Sequence, residues 1–159
     1  VNFNDLLEIY LYAHARLESS ANHYQLRNQF DRDKILSDIL VGKKAEFNVY
    51  YELLKKYPDV SRPDCKIYDD HQKSFDADLY IPSKDIYVHV KAHTKNAKVK
   101  NSWTFQRIDP VVKEPESNHW LALCSGIDFL NFKIGWLNAC DAEYKETLGN
   151  FPSKCAIYL

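Results

Sequence analysis

The sequence predicts an α/β domain of the α+β type, and three observations carry that expectation. Apolar residues recur at helical spacing over the first third of the chain. Short runs of β type replace them after Pro58 and Pro63, and no shift in composition marks a linker between the two parts. With 159 residues the chain has the length of one ordinary domain, which buries about 70% of its unfolded surface. A content of 45% apolar and 27% charged residues, with only four Gly and six Pro, excludes collagen-like, disordered and solenoid architectures.

Asn4 or Asp5 can cap a first helix through about Glu18, in which Leu7, Tyr10, Leu11, His14 and Leu17 fall at three- and four-residue steps. A second helical pattern runs from about Asp33 to Tyr57, with Gly42 as a break or close-packing point. β-type runs follow at Cys65 to Tyr68, Ala77 to Ile81 and Ile86 to Ala92. The last two are joined by the turn signal Pro82-Ser83-Lys84-Asp85, so a helix feeds an antiparallel meander. Further strands are expected at Trp103 to Gln106, His119 to Cys124, Ile134 to Leu137 and Cys155 to Tyr158. A short helix is expected around Ala142 to Leu148, and Pro110 to Asn118 is the most loop-like stretch.

Twenty-one basic residues stand against 22 acidic ones, a formal charge of −1, so the chain is not a general binder of polyanions and any nucleic-acid contact must be local. No apolar run approaches the ~20 residues that span a bilayer, and the first residues lack a leader pattern. The expectation is a soluble, intracellular, cytoplasmic protein without a membrane partner, its Val1 exposed by removal of an initiator Met. Cys65, Cys124, Cys140 and Cys155 are scattered singly and read as buried, reduced thiols.

The small net charge hides two opposed local excesses. Residues 64–78 carry Asp64, Asp69, Asp70, Asp76 and Asp78 against Lys66 and Lys73. Residues 91–108 carry Lys91, Lys95, Lys98, Lys100 and Arg107 with no acid. Carboxylates that hold a hard cation beside cations that receive phosphates are the parts of a metal-dependent phosphodiesterase; two solvated loops of opposite sign would read the same way. On a strand, Asp76 and Asp78 share one face, as do His89, Lys91 and His93 on the next. Glu46 lies three, four and seven residues before Val49, Tyr50 and Leu53, on the inward stripe of its helix, where a carboxylate needs a cation as partner. Asp5, Glu8, Glu18 and Asp38 read as surface or capping acids.

These parts, in this order, resemble the PD-(D/E)xK nuclease superfamily, the restriction-endonuclease-like fold. Gly42-Lys43-Lys44-Ala45-Glu46 looks like its helix motif, Phe75-Asp76-Ala77-Asp78-Leu79-Tyr80-Ile81 like its Asp strand and Val88-His89-Val90-Lys91 like its third element. The resemblance covers about residues 42–93. It implies a mixed central β-sheet flanked by helices, built as an N-terminal helical part (1–41), a motif-bearing core (42–93) and remaining strands and helix (94–159).

It further implies a metal-dependent DNA endonuclease using Mg²⁺ or Mn²⁺. Asp78 would bind the ion, Glu46 a second ion or a metal water, and Lys91 would orient the attacking water or stabilise charge on the phosphate. Asp76 is the rival metal ligand, but Asp78 directly precedes the apolar run. Pro63-Asp64 also spells the motif, with no (D/E)-x-K after it at a strand position. His89 departs from the family, standing where Asp or Glu is usual; as a nitrogen ligand it would weaken Mg²⁺ relative to Mn²⁺. Lys95, Lys98, Lys100 and Arg107 are candidate contacts to the DNA backbone, while Trp103 and Phe105 read as core more readily than as base-stacking rings. Cutting both strands at a defined site favours a homodimer. The alternatives are a catalytically weakened nucleic-acid-binding module and a metal-independent ribonuclease drawing on His14, His23, His71, His89, His93 and His119.

Overall fold

The computed structural model describes residues 1–19, 30–68, 76–93, 101–126, 131–147 and 151–159. Two helices open the chain, α1 (Phe3–Ser19) and α2 (Arg32–Leu54). Asp31 caps α2 by accepting the Lys34 N–H at 2.9 Å, and the helix runs through Gly42 without a break. A Cβ added at Gly42 would meet nothing within 4 Å, so this glycine marks neither a kink nor a close approach.

Strands β1 (Leu79–Ile81) and β2 (Ile86–His93) form the expected hairpin. Its connection is a 3₁₀ turn over Pro82–Lys84 closed by Asp85 at φ 50°, the left-handed region that Asp tolerates better than most residues. The strands β3 (Ser102–Gln106), β4 (His119–Gly126), β5 (Phe132–Asn138), β6 (Lys145–Glu146) and β7 (Lys154–Tyr158) follow, with a helical turn α3 (Pro110–Lys113) inside the segment read as a loop.

The architecture is mixed α+β, but not a simple meander. One four-stranded sheet has the order β1-β2-β4-β5, in which β2 and β4 run parallel and the other neighbours antiparallel. β3 leaves it to form a three-stranded sheet with β7 and β6. Alternation along β2 and β4 explains the layering. Val88, Val90, Ala122 and Cys124 face Ala45 and Val49 of α2, while Leu121 and Leu123 face Trp103, Phe105, Cys155 and Ile157 of the small sheet. Helix thus covers one face of the central sheet and sheet covers the other. Trp103 and Phe105 are core, as alternation predicts, and the Trp103 indole donates to the Cys124 carbonyl at 3.0 Å.

Two expected elements are replaced. Cys65 to Tyr68 is not a strand: the Asp64 carboxylate accepts the Lys66 N–H and the Tyr68 hydroxyl, local bonds that compete with strand pairing in an irregular segment. The helix expected from Ala142 gives way to β6, because Lys145 and Glu146 pair with Ala156 and Cys155 of β7. Tertiary pairing overrides helix propensity there. Of the thiols, Cys124 and Cys155 are buried as expected, Cys65 is half-buried and Cys140 is exposed. No helix among the described residues is long and apolar enough to cross a membrane.

Asp5 is no surface acid. It is 3% exposed, accepts the Tyr51 hydroxyl at 2.6 Å and the Arg62 guanidinium at 2.9 Å, and Arg62 also binds Glu8 and lies over the Phe47 ring. Arg62 therefore staples the segment after α2 to both helices. Burial raises the Asp5 pKa, but the bonds from Tyr51 and Arg62 outweigh it and hold the carboxyl below its usual range; Arg62 does the same for Glu8. Acids with lowered folded-state pKa values contribute stability that is present above the unfolded pKa, about 4, and is lost as pH falls through the folded one. Arg62→Ala should cost on the order of 2 kcal/mol at pH 7 and flatten the loss of stability below pH ~4. Urea unfolding across that range measures both, and an unchanged acid limb would contradict the role.

Candidate functional site

The site forms where β1 begins. The first residue of β1, Leu79, stands opposite Val88, so the β1 ladder stops short of Val90. The Asp78 carboxylate takes over at that point, accepting the Val90 N–H at 2.7 Å. A side-chain oxygen thus replaces a main-chain partner and fixes Asp78 beside the stretch of β2 that carries His89 and Lys91.

Glu46 approaches from α2. Its carboxylate is nearly buried, with 14% of the side chain exposed, and accepts the Lys43 ammonium at 2.5 Å. Lys43 lies one helical turn earlier, is itself buried, also donates to the Asp64 carbonyl at 2.8 Å and stands 4.6 Å over the Tyr12 ring. Burial pushes the Glu46 carboxyl up to about 8; the Asp78 charge adds to the rise, while Lys43 and Lys91 oppose it. Burial also works against the Lys43 ammonium, yet Glu46 overcomes this and keeps Lys43 above its usual value. Asp78 and Lys91 therefore lie within electrostatic reach of Glu46. The half-buried Lys91 projects from β2 with its amine 5.4 Å from the Phe105 ring centroid.

The chain matches no protein-family model, no curated protein and no solved structure. The chemistry of the site is accordingly read from its own residues.

Asp76, the rival acid, is exposed, and its charge acts on Tyr68. Asp78 instead acts on Glu46, His89 and Cys124. His89 is 5% exposed, and its Nε2 makes a 2.9 Å hydrogen bond with Nδ1 of His119. Burial lowers its pKa, partly offset by Asp78. That nitrogen is committed to a neighbouring strand rather than offered to an ion. Among the described residues no group of three His, Cys, Asp or Glu side chains is placed to hold a metal.

Lys95, Lys98 and Lys100 lie outside the described residues, as do His23 and His71. Arg107 is described and paired with Glu146 at 2.5 Å, both side chains being exposed. Lys43 and the Asp64 carbonyl were not singled out from the sequence, and His119 entered only among the six histidines of the metal-independent alternative. Only Lys43 carried a local signal, a cation three residues before an inward Glu.

Proposed function

We propose that this chain is a divalent-metal-dependent DNA endonuclease built on the restriction-endonuclease-like core, with α2, β1, β2 and β4 as its frame. One observation carries the reading: the nearly buried Glu46 carboxylate of α2 and the Asp78 carboxylate, fixed at the start of β1 by the Val90 N–H, interact electrostatically, and the PD-(D/E)xK order assigns both to one site. Two carboxylates within electrostatic reach of one another, with Glu46 raised to about 8 chiefly by burial, form a donor set that a divalent cation would stabilise. Glu46 and Asp78 would hold Mg²⁺ or Mn²⁺, with waters and the phosphate completing its shell, as suits a hard cation. A divalent ion there supplies Lewis acidity to the phosphodiester and lowers the pKa of water.

The chain's own groups do the rest. The Val90 N–H orients Asp78, Lys43 holds Glu46, and the Lys91 amine neutralises charge that grows on the phosphate as the water attacks. With His89 turned to His119, the two carboxylates rather than a nitrogen ligand set the metal preference.

Plasmid DNA incubated with the protein should be nicked or linearised in Mg²⁺ or Mn²⁺ and left intact in EDTA. Cleavage that survives EDTA would favour a metal-independent reaction at the His89–His119 pair. That reading is weaker, because His89 is buried and one of its nitrogens is already bonded.

A further inference from the structure

A pile of rings starts beside the proposed site and ends at the edge of the sheet. Tyr80, Tyr87 and His119 are direct partners across β1, β2 and β4. Their rings stack at centroid spacings of 4.6 Å and 5.0 Å, with interplanar angles of 28° and 21°. His89 continues the pile on His119 at 5.1 Å and 22°. Its inner end, His89, is buried and feels the Asp78 charge, whereas Tyr80, Tyr87 and His119 are half-exposed.

The outer end is Tyr80, on the edge strand β1. Across that edge its main chain exchanges hydrogen bonds with Ser61, a small and exposed residue: the Ser61 N–H donates to the Tyr80 carbonyl, and the Tyr80 N–H to the Ser61 hydroxyl, both at 2.7 Å. The Tyr80 hydroxyl donates to Asp85 at 3.1 Å, which holds the ring in place. The pile thus presents an oriented aromatic end two residues along the chain from Asp78, about 6.7 Å of strand.

We propose that an unpaired nucleobase stacks on Tyr80 and extends this pile, so that the substrate is DNA with an unpaired nucleotide next to the phosphate cut at Asp78. The inference rests on the nuclease reading and narrows it to single-stranded, frayed or flapped DNA. Stacking tolerates any base, since each has a π face, so selection is for base accessibility rather than sequence. Asp85 beside the Tyr80 hydroxyl repels a phosphate there and leaves the position to a neutral ring.

The test measures binding of the full chain in EDTA, by fluorescence anisotropy, to a labelled 15-mer oligothymidylate and to a 15-mer of abasic backbone. The wild type should prefer the base-bearing strand by roughly tenfold, the share of one base stacked on an aromatic ring. Tyr80→Leu should erase that preference and Tyr80→Phe keep it, with melting curves establishing that both variants are folded. Equal affinity of the wild type for the two strands, or an unchanged preference in folded Tyr80→Leu, would overturn the proposal. Because binding is read without metal, failure of the nuclease reading shows separately, as absence of cutting in Mg²⁺ and Mn²⁺.

Discussion

Lys43→Met should destabilise the protein by on the order of 1–3 kcal/mol near neutral pH, the penalty for leaving the buried Glu46 carboxyl, raised to about 8, without its hydrogen-bond partner. The pair is almost wholly inside, with 9% of the Lys43 and 14% of the Glu46 side chain exposed. Loss of Lys43 also frees the Asp64 carbonyl, to which the same ammonium donates. The double variant Lys43→Met, Glu46→Leu should recover much of the loss, because the buried carboxyl goes with its partner. Denaturant melts of the two single variants and the double variant give the coupling directly. A cost below about 0.5 kcal/mol for Lys43→Met would show that the pair does not hold Glu46 in place.

Lys91→Ala should slow cleavage by on the order of 10²-fold or more, the usual effect of deleting a group that stabilises charge in the transition state. Stability should change little, since Lys91 is half-buried and its amine lies over the face of Phe105. The loss should appear in the rate at saturating metal rather than in the metal concentration required, because the amine ligates no cation. Single-turnover cleavage across a Mn²⁺ titration separates the two. A variant with an unchanged maximal rate and a raised metal requirement would assign Lys91 to electrostatic support of the carboxylates instead.

Legibility in the sequence followed the range of the forces involved. The two helices, the Pro82 to Asp85 hairpin and the strands carrying Trp103, Leu121 and Ile157 are present near their expected positions, but in α1 the spacing named largely the wrong face: Leu7, Tyr10 and Leu11 are exposed, and Ile9, Ala13 and Leu17 are buried. The inward turn of Glu46 followed from its spacing to Val49 and Leu53. What local pattern could not reveal is pairing between distant segments. The parallel register of β2 on β4, the departure of β3 to β7 and the conversion of the Ala142 segment into β6 all depend on partners far along the chain. Asp5 looked like a cap because its decisive partner, Arg62, is 57 residues away. His89 looked like a ligand because nothing near it in sequence announced His119, 30 residues on. Conversely, Asp78 was favoured over Asp76 only by its place before an apolar run. The hydrogen bond to Val90 supplies the physical reason such a place matters: the residue that precedes a short edge strand can cap the ladder with its side chain.

The most direct measurement is plasmid cleavage at saturating Mn²⁺ by the wild type and Asp78→Ala side by side, with folding of both verified by thermal melts. The wild type should cut, and the variant should cut at a rate at least about 10²-fold lower. No cutting by the wild type in Mn²⁺ or Mg²⁺, or equal rates for the two proteins, would contradict the nuclease reading.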